Sequence, residues 1–221
     1  MTDGGSPTLT KVGALALIIG SIQFVAAQIV EGALLTWGYT PVNSAISDLG
    51  NWNLDGNYAY IFNVSIVILG ICVFLSLPMV WTEIPRVRGR RRGLVFLAIA
   101  GIGAIIVGLY PEETYQFGRH LYHAVGAGLA FLGAGLALVS FSRGFPRSPR
   151  WKPLALPTLI GGLVDIVALV AFLIGPTDGT HWVFERIIVA PVLIWAPLVG
   201  YWVLTHPRDA TQAEAPFLAA A

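Results

Sequence analysis

The sequence predicts an all-α, polytopic membrane protein with six transmembrane helices, and three observations carry that expectation. Of 221 residues, 56% are hydrophobic and only 11% charged, and the mean hydropathy is +0.73, a balance that suits lipid and not a water-facing surface. The apolar residues gather into six runs, 12–34, 61–81, 93–110, 121–142, 153–175 and 187–206, each near the ~20 residues a helix needs to cross hydrocarbon. Apolarity within each run is continuous rather than alternating, which favours helices over barrel strands.

The first run follows only Asp3 and Lys11 and closes without a small-residue cleavage pattern, so it reads as a retained helix and not a removable leader. The third is the shortest and begins directly after Arg90, Arg91 and Arg92, whose stems can snorkel to the interface. Charge orders the connections. Arg86, Arg88, Arg90, Arg91 and Arg92 follow the second run; Arg143, Arg147, Arg150 and Lys152 follow the fourth. Lys11 and Arg208 fall on the same side, leaving only Arg119 and Arg186 for the other. By the positive-inside rule this gives three helical hairpins in the cell membrane with both termini cytoplasmic. The expected organisation is a short N-terminal segment 1–11, a membrane domain 12–206 and a flexible tail 207–221. Trp37, Trp52, Trp81, Trp151 and Trp182 lie near span ends and read as head-group anchors.

Nucleic-acid binding has no support in this composition. The single cysteine, Cys72, rules out an intrachain disulfide and a thiol-rich metal site. Groups able to do chemistry collect on the extracytoplasmic side. Ser47 and Asp48 belong to a polar stretch, Ser44–Asn51, between the first two spans, and with His123 they are the candidate catalytic residues. Ser and Asp before Gly are equally turn and cap formers. His120 and His123, three apart, share a helical face and could hold a divalent metal with His181 or Asp48. The alternative is one histidine in head-group water and one bonded to a neighbouring helix. Haem is disfavoured because His206 lies at the opposite face. Glu185, Arg186, His120 and Asn63 are candidate binding residues, the Arg186 fork being suited to a phosphate.

Two acids lie within spans. Asp165 is about ten residues from either end of the fifth, where a bare charge costs ~2.5–3.5 kcal/mol. It must face the bundle interior or a hydrated cavity, or stay protonated, with a backbone carbonyl or a span residue such as Asn63 or Ser65 as bonding partner. Glu31, near the outer end of the first span, could pair with Arg119 and Arg186 at the outer rim, which would be a structural role.

Ser47-Asp48-Leu49-Gly50, Phe62-Asn63, Gly108 with Pro111-Glu112, His123 followed by Gly126-Ala127-Gly128-Leu129-Ala130-Phe131, Glu185-Arg186 and Trp195 together resemble domain-of-unknown-function family 998, six-span proteins found mainly in archaea and bacteria. The resemblance implies a six-helix membrane domain and no particular activity. The Ser-Asp-Leu-Gly turn is also similar to that of eukaryotic six-span proteins of the fibroblast-growth-factor-receptor-activating and autophagy-modulator group, some of which act in lipid remodelling. The expected function is lipid binding or lipid modification at the extracytoplasmic face, with membrane lipid as partner and no cofactor demanded by the pattern. The alternatives are a small proton-coupled transporter using Asp165 and Glu31, and a non-catalytic accessory subunit packed through its glycine-rich spans.

Overall fold

The computed structural model describes residues 6–35, 38–42, 44–85, 88–112, 117–175 and 182–207, the side chains of 88 and 117–120 excepted. Six long helices carry the chain: α1 (Pro7–Leu34), α2 (Ala59–Glu83), α3 (Arg88–Leu109), α4 (Phe117–Ser142), α5 (Lys152–Ile174) and α6 (Trp182–Thr205). All six are long and apolar enough to cross a membrane. Helix α1 starts ahead of its apolar run because Pro7 occupies the first turn, where its missing N–H costs nothing.

Each helix packs on its sequence neighbour, and α6 returns to pack on α1, so the six close into a ring. Small residues set the spacing. A Cβ on Gly103 would lie 2.5 Å from the Gly126 carbonyl oxygen, and one on Gly162 would lie 2.9 Å from that of Gly135. Backbone thus meets backbone between α3 and α4 and between α4 and α5. The outward faces expose Ile22, Ile29, Val64, Leu75, Val167, Leu173 and Leu198, an apolar belt that water would not tolerate and lipid does.

The two ends of the ring differ. At the end holding the arginine-rich connections, Arg150 Nη1 meets Glu83 Oε2 at 2.6 Å, and Trp151 Nε1 donates to the Glu83 carbonyl at 2.9 Å. Trp151 is therefore no interfacial anchor. It is buried, stacked on Phe145 with centroids 4.9 Å apart, because the bond to Glu83 draws the indole into the core. Trp81 does stay exposed, with the Arg90 guanidinium 4.1 Å over its ring. Deeper in, Trp195 stacks on Phe141 and donates to Thr158 Oγ1 at 3.1 Å, which satisfies its one polar atom inside the bundle.

The other end is closed by the segment between α1 and α2. It winds through a 3-10 turn (Ser47–Gly50), one α-helical turn (Trp52–Asp55) and a second 3-10 turn (Gly56–Tyr58). Local side chains supply its bonds: Asp48 Oδ2 accepts the Ala45 N–H at 2.8 Å, and Asn51 Oδ1 accepts the Asn53 N–H at 3.0 Å. Gly56, at φ 54, makes the reversal between the turns that a side chain would resist.

Candidate functional site

The ring encloses a cavity of about 110 Å3 to which all six helices and the capping segment contribute. Its walls are mainly small and apolar. Helix α3 offers Leu97, Ala100, Ala104 and Val107, and α4 offers Ala127, Ala130 and Ala134, both at the three-and-four spacing of a single helical face. Among these lie a few polar groups: Ser21 on α1, Ser47 in the cap, His123 on α4, Asp165 on α5 and Glu185 on α6.

The cap is held on α6 by two adjacent side chains. Glu185, 8% exposed, accepts the Ile46 N–H on Oε2 at 2.6 Å. Arg186 donates from Nη1 to the Ser44 carbonyl at 2.7 Å and from Nη2 to the Tyr39 hydroxyl at 2.9 Å. Burial pushes the Tyr39 hydroxyl above its ordinary value, and the neighbouring guanidinium works the other way. A third attachment comes from α2, where Asn63 Nδ2 donates to the Gly50 carbonyl at 3.0 Å. A Cβ on Gly50 would lie 2.6 Å from Asn63 Oδ1, so the close approach depends on that glycine.

His123 is buried, and its Nδ1 lies 3.1 Å from the Tyr110 carbonyl oxygen. A carbonyl can only accept, so Nδ1 carries the proton and, in the neutral ring, Nε2 is the basic nitrogen. Asp165 is 0% exposed, about 14 Å of helix below the cap-side end of α5. A Cβ on Gly135 would lie 2.5 Å from its Oδ1.

A family model described as a protein of unknown function (DUF998) matches residues 18–202. The chain belongs to the DUF998 family. That match runs from α1 through α6 and includes the cap and every cavity residue from Ser21 onward. No curated protein and no solved structure matches this chain.

In this DUF998 protein the candidates separate by position. Ser47, His123, Glu185 and Asp165 share one cavity. Asp48 is turned back on its own turn, and Arg186 and Asn63 fasten the cap. Asp165 does not bond to Asn63 or Ser65, because the Asn63 amide is spent on Gly50 and Ser65 Oγ donates to the Phe62 carbonyl. Glu31 is fully buried in the last turn of α1 but is not among the cavity residues, and neither of its oxygens has a hydrogen-bond partner among the described residues. Arg186 is engaged with Ser44 and Tyr39, and the side chain of Arg119 lies outside the described residues. His181 and the side chain of His120 lie outside the described residues. Among the described residues no three His, Cys, Asp or Glu side chains are grouped to hold a metal ion.

Sequence reasoning passes over Tyr39 and Ser21. Tyr39 has no pattern to mark it. Ser21 does have a signal: with Leu17 and Phe24, four before and three after it, it forms one stripe of α1, and all three line the cavity.

Proposed function

We propose that this DUF998 protein binds a lipid-type amphiphile, taking an apolar chain into the central cavity with the polar end toward Ser47, His123 and Glu185. The supporting observation is the cavity itself, an apolar-walled space with a few convergent polar groups, which is the usual make-up of a small-ligand site. Its volume suits part of a chain rather than a whole lipid. In this reading the cap faces the extracytoplasmic side, both termini are inside and the helices form three hairpins, as the arginine distribution favours.

Lipid modification belongs to the same proposal. Ser47 would be the nucleophile and His123 Nε2 the base, while Asp48, engaged with Ala45, would hold the turn rather than complete a triad. A second reading, proton-coupled transport, draws support from the Asp165 carboxyl in the cavity wall. Glu31, buried in the last turn of α1, is the second acid of that reading.

The test is purification in mild detergent followed by native mass spectrometry and turnover of labelled lipids. Bound lipid that is lost in Ala104→Phe, which fills the cavity, supports binding. Turnover that vanishes in Ser47→Ala and His123→Ala supports modification. Absence of both bound lipid and turnover sinks the proposal. Orientation is checked in a Cys72→Ser background with single cysteines at Thr40 and Ser148: a membrane-impermeant maleimide should label the first from outside and the second only after permeabilisation.

A further inference from the structure

Two groups in the cavity wall lack what buried polar groups nearly always have. Both carboxylate oxygens of Asp165 and the hydroxyl of Ser21 are without a hydrogen-bond partner among the described residues, at 0% and 2% exposure. Interior polar atoms are satisfied in the great majority of cases, so orphans that line one cavity point to something that occupies it.

Charge narrows the occupant. Among the described residues no hydrogen-bond donor reaches the Asp165 carboxyl. Among the described residues the cavity wall contains a second acid, Glu185, and neither lysine nor arginine. An anionic ligand would meet two carboxyls, and a plain hydrocarbon would leave the orphan atoms unpaired at a cost that dry surroundings increase. A cation with N–H donors meets both requirements. The wall also presents the rings of Phe24, Phe62, Phe131 and Trp195, whose faces attract ammonium groups. Gly135 leaves the room that the Asp165 carboxyl occupies.

We infer that the cavity recognises a protonated amine carried on an apolar body. Asp165 supplies the counter-charge and Ser21, on the wall formed by α1, a further acceptor. The apolar part lies against the alanines of α3 and α4. This rests on the reading of the cavity as the ligand site and seats the polar end at Asp165 and Ser21 in place of Ser47, His123 and Glu185. The amine can be an aminolipid head group or a free hydrophobic amine.

The test places the protein in phosphatidylcholine nanodiscs, whose head groups carry no N–H donor, and titrates octylamine and octanol while the melting midpoint and tryptophan fluorescence are followed. Octylamine should stabilise more than octanol, and Asp165→Asn should lower its apparent affinity about tenfold or more while leaving octanol unaffected. Equal responses to the two probes would overturn the amine inference and leave the cavity reading standing. No response to either would overturn both. If Asp165→Asn does not fold, Gly135→Ala, which crowds Oδ1, must weaken octylamine more than octanol; unchanged octylamine binding overturns the inference. Stabilisation by phosphatidylethanolamine in the nanodisc identifies the lipid source, and stabilisation by octylamine alone identifies the free amine.

Discussion

Glu185 and Ile46, 139 positions apart in the chain, are joined by a 2.6 Å hydrogen bond from the Ile46 N–H to the Glu185 carboxylate. Because Glu185 also lines the cavity, one side chain both fixes the cap and forms part of the space beneath it. Replacing it with Ala removes that bond and leaves the Ile46 N–H unsatisfied, with an expected cost of about 1–3 kcal/mol. Thermal unfolding in detergent measures the loss, and faster proteolysis between residues 38 and 46 locates it. Glu185→Gln, which keeps an acceptor, should lose less.

Arg186 reaches Ser44 and Tyr39 from two nitrogens of one planar fork. Lysine presents a point charge and cannot hold both partners in that geometry. Arg186→Lys should therefore retain the charge yet lose about 1 kcal/mol, the worth of one bond. A melting midpoint equal to the wild type would contradict the fork's role.

Tyr39 gives the cap an alkaline limit. Its folded-state value is raised above that of the unfolded chain, so its stabilising contribution is complete below about pH 10 and is lost as pH rises further. Melting curves measured from pH 8 upward should show an alkaline decline that Tyr39→Phe makes shallower.

At the opposite end, Glu83 and Arg150 form an ion pair with both side chains under one-tenth exposed. Removing one partner leaves the other buried and uncompensated, at a cost of about 3 kcal/mol or more. Arg150→Ala and Glu83→Gln should each lower the melting midpoint, and the double variant should fall by less than the sum. Strict additivity would show that the two do not act together.

Gly103 and Gly128 make a paired control on helix packing. A Cβ on Gly103 meets the backbone of α4, which cannot swing aside, so Gly103→Ala should destabilise by about 1–3 kcal/mol. Gly128 has nothing within 4 Å, and Gly128→Ala should be neutral or gain up to about 1 kcal/mol of helix propensity.

The six helices are legible in the sequence because lipid imposes one demand, an apolar surface about one bilayer long, and each run meets it independently of its neighbours. Asp165 and Glu31 are legible for the same reason, as acids where charge is costly. What a side chain touches depends on other segments, and that is where the readings part from the structure. The Asn63 amide is spent on Gly50 rather than on Asp165, and Arg186 is spent on Ser44 and Tyr39 rather than on Glu31. Trp151 reads as a rim residue from its place at a span end, yet Glu83, sixty-eight positions earlier, draws it inside. Ser21 is obscured because a serine in an apolar helix ordinarily satisfies itself on the preceding turn, so its stripe with Leu17 and Phe24 gains weight only beside the orphaned hydroxyl.

The contact between α1 and α6 bears on how the molecule is made. A ribosome delivers α1 to the bilayer first and α6 after every other span, so the face of α1 that receives α6 waits in lipid while four further helices are inserted. Gly20 already meets Cys72 of α2, and Gly200 of α6 later fits against the Ala14 carbonyl. Until it does, the cavity is an open trough, and Asp165 and Ser21 stand toward whatever lipid or insertion machinery fills the gap. Assembly of this protein therefore ends with the step that encloses its cavity, and a truncation before α6 should remain bound to insertion factors rather than accumulate as a stable five-helix form.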